Sequence, residues 1–275
     1  MSDGSNACIF CQRVTKLTDE HPWGNWTKDY VKRTSNKHNH ANVFVPKPGK
    51  PEPAVMRIRA GDPLDSQVKA ICGACNSGWM GGIQNAAKPF LIPLFNGDAC
   101  VPNDRVQTVV SAWIAMATMT GEHLSRDKKR IAISQSDRNW LMNRQSAPSD
   151  WYIWIGRYER QKWQPQWVKA SFPVLNTEYI PDAVTLDDRR PTLQTTAFTV
   201  GQLFAFAMSC HFPEIPRGWD WRTATGARTL LKRVWPLEEC TLSWPPFTMT
   251  DSDAGSFSGA VIRYFEDLAI RKGYA

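Results

Sequence analysis

The sequence lacks the long apolar run that a membrane-spanning helix requires. Its most apolar stretch, Val200 to Cys210, stops at His211, well short of the roughly 18 to 20 residues needed to cross a bilayer. The polar N-terminus lacks the basic-then-apolar order of a secretory signal, which predicts a cytoplasmic location. Low-complexity blocks are absent too, and 42% of the residues are hydrophobic. We therefore expect neither a membrane protein nor a disordered chain.

Acidic residues are scarcer than basic ones, with 26 Asp and Glu against 33 Lys and Arg, a formal net charge of +7. The excess is concentrated between Lys28 and Lys69, where nine basic residues stand against four acidic ones. Such a segment favours a polyanionic partner. The simpler alternative is a basic loop that is merely solvated.

The cysteines are odd in number, seven in all, which is a poor fit to a disulfide framework in a cytoplasmic chain. Four of them form two pairs with CxxC spacing: Cys8, Cys11, Cys72 and Cys75. This spacing lets both thiolates of a tight turn reach one tetrahedral zinc ion. We therefore predict a structural zinc site that joins two chain segments across a 60-residue insertion. The alternative for either pair alone is two buried small side chains.

An acidic residue and a histidine, Glu20 and His21, follow the first cysteine pair, and Asn76 directly follows the second. Zinc would bring the two segments side by side. A carboxylate and an amide oxygen can then hold a hard divalent ion, and an imidazole near that ion can take a proton from water. The pattern predicts a catalytic centre. The alternatives are a capping or core histidine and an asparagine that is only a helix N-cap.

This order of residues resembles the HNH nucleases, also called ββα-metal or His-Me finger nucleases, and is most similar to their zinc-stapled, endonuclease VII-like branch. Residues 75–80 and 86–89 are also similar to phage and bacterial proteins described as HNH endonucleases. The resemblance covers roughly residues 8 to 95. It implies that Glu20 and Asn76 bind a catalytic Mg²⁺ or Mn²⁺ and that His21 activates water. The implied substrate is double-stranded or branched DNA, cut to leave a 5′-phosphate and a 3′-hydroxyl.

Between the cysteine pairs, Val43 to Val45 and Val55 to Ile58 have the composition of strands and predict a basic hairpin. Arginines alternate with apolar residues in the second strand, so we expect both guanidinium groups on one face. Four side chains are predicted to contact DNA phosphates: Lys32, Arg33, Arg57 and Arg59.

Further elements follow from periodicity and capping. We predict helices over Asn76 to Lys88 (ended by Pro89), Val106 to Leu124, Ser134 to Gln145 and Ser256 to Lys272. We predict strands over Trp151 to Tyr158, Trp163 to Val174 and Thr192 to Val200, while Gly201 to Cys210 fits either a strand or a helix. Four tryptophans in this region are expected to be core, with stacking on unpaired bases as the alternative: Trp151, Trp154, Trp163 and Trp167.

The predicted fold class is α+β. A zinc-bound ββα-metal module in residues 1–98 would precede an α+β domain with an antiparallel sheet in residues 99–275. The second domain would supply specificity, regulation or a homodimer or protein-partner interface. The predicted function is a metal-dependent DNA endonuclease. The alternative is a catalytically inactive HNH-derived protein, from a phage or a defence system, that binds nucleic acid or another protein.

Overall fold

The computed structural model describes residues 7–32, 37–44, 55–124, 131–159, 165–172, 192–212 and 229–271. At 37–40, 42–44, 55–60, 165–166 and 266–271 the description covers the backbone alone. Within these ranges the chain forms an α+β fold with a two-stranded sheet, a seven-stranded sheet and five α-helices. No helix in the described part of the chain combines the length and apolar character needed to cross a membrane.

The small sheet leads directly into a helical segment. Strand β1 (Leu17–Glu20) pairs antiparallel with β4 (Val68–Cys72). The chain then continues through a short helix α1 (Gly73–Cys75), a π-helix (Asn76–Met80) and helix α2 (Gly81–Asn96). The antiparallel register pairs Leu17 with Cys72, so the start of β1 lies beside the start of the helical segment.

Helix α2 is longer than the sequence predicts, and the expectation that Pro89 ends it is wrong. The helix continues through Pro89 and Pro93 and ends where Gly97 adopts a left-handed φ of 75°. A proline inside a helix costs roughly 3 kcal/mol or more. This cost is offset by packing, since burying one large apolar side chain contributes about 1.5 to 3 kcal/mol. The buried positions form one stripe: Ile83, Ala87, Leu91, Leu94 and Phe95.

The seven-stranded sheet has the order β3-β2-β6-β7-β8-β5-β9. Its strands are β2 (Lys37–Phe44), β3 (Val55–Ala60), β5 (Tyr152–Arg157), β6 (Pro165–Phe172), β7 (Leu193–Val200), β8 (Leu203–Cys210) and β9 (Lys232–Trp235). Neighbouring strands are antiparallel except for β2 and β6, which run parallel. The predicted strands are confirmed, and β2 and β3 pair as the predicted hairpin requires, although β2 begins at Lys37, six residues before the predicted Val43. The ambiguous segment before Cys210 is a strand.

Helices cover both faces of this sheet. On one face, α2 and α3 (Asp104–Gly121) form the larger core, and on the other α5 (Asp251–Arg271) packs on a second cluster. Helix α4 (Gln135–Arg144) begins as the sequence predicts, because the Ser134 hydroxyl accepts a hydrogen bond from the Asp137 amide at 3.0 Å. Both sheet faces are thus buried.

Strand β2 connects the two predicted domains. It lies between the two cysteine pairs in the sequence, yet it pairs with β6 of the C-terminal part. The larger core also crosses the predicted boundary, with the Trp23 ring centroid 5.9 Å from Trp167 and 6.2 Å from Phe198. The division into domains at residues 1–98 and 99–275 stays a prediction.

The tryptophans of the C-terminal region belong to the core. Trp151, Trp154 and Trp167 are each only 1% exposed, so the core prediction is confirmed for these three and base stacking is excluded. Trp163 lies outside the described residues.

Candidate metal and catalytic centre

The four cysteines of the two CxxC pairs meet in space. Their sulfur atoms all lie within 4.8 Å of one another, and the Sγ atoms of Cys11 and Cys72 are 3.7 Å apart. Ligands of a tetrahedral zinc ion with Zn–S bonds of about 2.3 Å stand about 3.8 Å from each other. The cluster could therefore hold a metal such as zinc.

Backbone hydrogen bonds explain why the two turns meet. The first turn closes when the Gln12 amide donates to the Cys8 carbonyl at 2.9 Å, with Gln12 in the left-handed region at φ 59°. The Ile9 amide donates to the Ala70 carbonyl at 3.0 Å, which ties this turn to β4. The second turn begins at Cys72, the last residue of β4. Strand β4 thus brings both turns together.

The surroundings of the cluster lower the pKa of one of its thiols and raise the pKa of two others, Cys11 and Cys75. Burial acts to raise the pKa of Cys8, but backbone N–H groups of Cys72, Cys11 and Phe10 outweigh it and lower the pKa to about 7. Burial raises the pKa of Cys75 to about 12. Hydrogen bonds that stabilise one thiolate favour zinc binding, and a bound divalent ion deprotonates the remaining thiols.

Glu20 ends β1 and is only 6% exposed. Its Oε1 accepts a hydrogen bond from Nε2 of Gln84 at 3.3 Å, and the side-chain amide of Asn76 lies close enough to act on the pKa of the carboxylate. Burial raises the pKa of Glu20 to about 7, although both amide contacts act to lower it. The structure therefore brings two predicted site residues, Glu20 and Asn76, into contact.

The hydrogen bonds of Asn76 determine the direction of its amide. The Thr18 hydroxyl donates its only proton to the Ile71 carbonyl at 3.0 Å, so it accepts from Nδ2 of Asn76 at 3.1 Å. The nitrogen of Asn76 faces Thr18, and its oxygen is left for another partner. A carboxylate and an amide oxygen are the ligand types that Mg²⁺ and Mn²⁺ prefer, so Glu20 and Asn76 carry suitable donor atoms, although the Asn76 nitrogen is the atom that faces the carboxylate here.

His21 follows Glu20, and its ring is held by two donors. Its Nε2 lies 3.2 Å from Nε2 of Gln67 and 3.4 Å from Nζ of Lys28. A lysine ammonium only donates, so Nε2 of His21 accepts and its proton is on Nδ1. Burial and the Lys28 charge lower the pKa of His21, against the opposing charges of Asp65 and Asp19. His21 is therefore a neutral imidazole whose basic nitrogen can take a proton.

The predicted DNA contacts are only partly described. Lys32 is exposed and lines a cleft of about 440 Å³ together with Tyr30 and Arg157. Arg33 lies outside the described residues, while Arg57 and Arg59 lie in β3, at the edge of the large sheet, with the backbone alone described. Their contacts with phosphates stay predictions.

The sequence does not single out three neighbours of this centre: Lys28, Gln67 and Gln84. Lys28 counts there only as part of the basic segment. Gln84 follows Asn76 by eight residues, about two turns of a helix, which is a signal that could have placed both side chains on one face. Gln67 precedes β4 and carries no comparable signal.

Comparison of the chain with protein-family models, curated proteins and solved structures finds no match. The fold and the site define the chain as an α+β protein with a four-cysteine site able to hold a metal such as zinc.

Proposed function

We propose that the protein is a metal-dependent DNA endonuclease that hydrolyses phosphodiester bonds with a histidine base and one divalent ion. The observation that carries the proposal is the contact between Glu20 and Asn76 in a strand–strand–helix unit closed by four cysteines, with a neutral His21 next in the chain. This arrangement resembles the HNH nucleases in the order and the role of its residues.

The residues divide into two tasks. Glu20 and Asn76 hold the Mg²⁺ or Mn²⁺, which supplies positive charge against the phosphate and the leaving oxygen. His21 takes a proton from the attacking water through Nε2. Water reaches this nitrogen by replacing one of its two present partners, Gln67 and Lys28, both of which are exposed.

The zinc has a structural role in this proposal. Four thiolates fill a tetrahedral coordination sphere and leave no open position for water or substrate. Its contribution is to keep β1 and the start of the helical segment adjacent, which keeps Glu20 beside Asn76.

DNA binding is assigned to the basic segment. Lys32, Arg33, Arg57 and Arg59 would neutralise backbone phosphates, so affinity should fall steeply with salt and show little preference for sequence. Specificity, dimerisation or regulation would come from the C-terminal part.

One observation favours the alternative, an inactive HNH-derived protein that binds nucleic acid or another protein. Lys28 and Gln67 both occupy Nε2 of His21, the nitrogen that a general base must present to water. Such a protein would keep the zinc and bind its partner without any hydrolysis.

Nicking of supercoiled plasmid distinguishes the two functions. Wild-type protein should nick DNA with added Mg²⁺ or Mn²⁺ and not without it. Asn76→Ala should need more ion for half-maximal nicking, because an ion ligand is lost, while Asn96→Ala at the exposed end of α2 should behave as wild type. Binding of DNA with no nicking at any ion concentration would support the inactive protein instead.

A further inference from the structure

Beyond the predicted ligands, the hydrogen bonds around Glu20 extend to Trp26. We propose that Trp26 and Gln84 act as positioning residues, a relay that orients the Glu20 carboxylate toward the divalent ion. This inference rests on the ion site of the proposed function, but not on nuclease activity.

The relay has a defined direction because its first member can only donate. The indole Nε1 of Trp26 donates to Oε1 of Gln84 at 3.1 Å. An indole has no acceptor, so the oxygen of Gln84 must face Trp26 and its nitrogen must face Glu20. Nε2 of Gln84 then donates to Oε1 of Glu20 at 3.3 Å. Gln84 therefore serves as a donor to the carboxylate and does not offer an oxygen to the ion.

Packing fixes the first member of the relay. The Trp26 ring stacks on Phe95 with centroids 5.9 Å apart and meets Tyr30 edge-on at 6.1 Å. The ammonium of Lys88 lies 5.4 Å from the Trp26 ring centroid. The indole is held from several sides, so its N–H has one direction.

A glycine makes room for the relay. A Cβ at Gly24 would lie 2.4 Å from Oε1 of Gln84 and 2.7 Å from Nε1 of Trp26. Gly24 also adopts φ 80°, a conformation that favours glycine. Its absent side chain permits the hydrogen bond between Trp26 and Gln84.

The consequence concerns the carboxylate. With Oε1 of Glu20 held by Gln84, rotation of the carboxylate is restricted and Oε2 has a fixed direction. Loss of a hydrogen bond behind a ligand typically weakens metal binding by about 10- to 100-fold. The Gln84 donor and the Trp26 that orients it should both contribute to ion affinity.

The test is Mn²⁺ binding to the full-length, zinc-loaded protein, measured by titration calorimetry without DNA. Gln84→Met, which keeps the length of the side chain but removes the donor, should raise the Mn²⁺ dissociation constant about tenfold. Trp26→Phe should raise it less, because Gln84 remains but is free to turn. The double variant should match Gln84→Met alone, since Trp26 acts through Gln84.

Matched controls remove similar groups elsewhere. Gln202→Met removes an amide that is also bonded at both ends, to Arg157 at 2.9 Å and to the Asn96 carbonyl at 2.8 Å. Trp140→Phe alters a half-exposed tryptophan on α4. Both should bind Mn²⁺ as wild type does, and zinc content and melting temperature verify that every variant is folded.

Three results would overturn the relay: an unchanged Mn²⁺ constant in Gln84→Met, additive effects in the double variant, or no Mn²⁺ binding by wild type. Gln84→Met alone decides the donor role if Trp26→Phe does not fold. Relay-dependent Mn²⁺ binding without any nicking would refute the nuclease and leave the relay standing. If Gln84→Met changes neither the ion-dependent nicking nor the Mn²⁺ dissociation constant, the relay is refuted and the nuclease stands.

Discussion

Burial of Glu20 without a bound ion should make the protein less stable as the pH rises. The pKa of Glu20 is raised from 4.5 to about 7 in the folded chain, so the folded state holds this proton more tightly than the unfolded state does. Between these values the folded state binds more protons, and the free energy of unfolding therefore falls with increasing pH. At about 1.4 kcal/mol per pKa unit, the loss between pH 4.5 and 8 is about 3 kcal/mol.

The assay compares wild type with Glu20→Gln, which does not titrate, in zinc-loaded protein without added Mg²⁺ or Mn²⁺. Urea unfolding at pH 5, 6, 7 and 8 gives the difference in the free energy of unfolding between the two proteins at each pH. Titration of the zinc thiolates cancels in this difference, because both proteins contain the zinc site. Between pH 5 and pH 8, wild type should lose about 2.5 kcal/mol relative to the variant, which corresponds to roughly 5 to 10 °C in melting temperature.

Added Mn²⁺ should reverse this loss at pH 8 in wild type only. An ion at 100 times its dissociation constant stabilises the folded state by about 2.7 kcal/mol. A difference between wild type and Glu20→Gln that stays flat from pH 5 to 8 would refute the reasoning, because it would show that the folded protein leaves the Glu20 carboxylate solvated.

Other predictions concern zinc, a buried charge cluster and DNA binding. Elemental analysis should find about one zinc per chain in wild type and less in Cys72→Ser, which should also melt at a lower temperature. Glu122→Leu should lower the free energy of unfolding by about 3 to 5 kcal/mol in urea, because buried Glu122 bonds Arg138 at 2.6 Å and Lys169 at 2.5 Å, and both buried cations would lose this carboxylate. In DNA-binding titrations at increasing salt, Lys32→Ala should reduce the salt slope by about one; an unchanged slope would remove Lys32 from the interface.

Local signals in the sequence are enough to predict part of the fold. Ser134 caps α4 through a hydrogen bond within four residues, and CxxC spacing places two thiolates on each tight turn. These features depend on neighbours in the chain. The contact between Glu20 and Asn76 is also predictable, but only once the four cysteines are assumed to share one ion.

Other features depend on packing between distant segments. The strand from Leu203 to Cys210 is buried on both faces, so its sequence is a continuous apolar run that has no period to separate strand from helix. Pro89 stays inside α2 because the following turns bury apolar side chains in the core. The parallel pairing of β2 with β6 joins residues more than 120 positions apart, and Gln84 meets Trp26 only after α2 has docked.

The measurement that tests the central claim most directly is the nicking rate of His21→Ala at saturating Mg²⁺ or Mn²⁺. Removing a general base typically costs about 10²- to 10⁴-fold in rate, so the variant should be slower by this factor while its zinc content and DNA affinity are unchanged. His211→Ala is the matched control, because this exposed histidine lies directly after β8. The described contact of its Nε2 is with the Ala132 carbonyl. The account predicts wild-type nicking by His211→Ala and almost none by His21→Ala; equal rates for wild type and His21→Ala would contradict it.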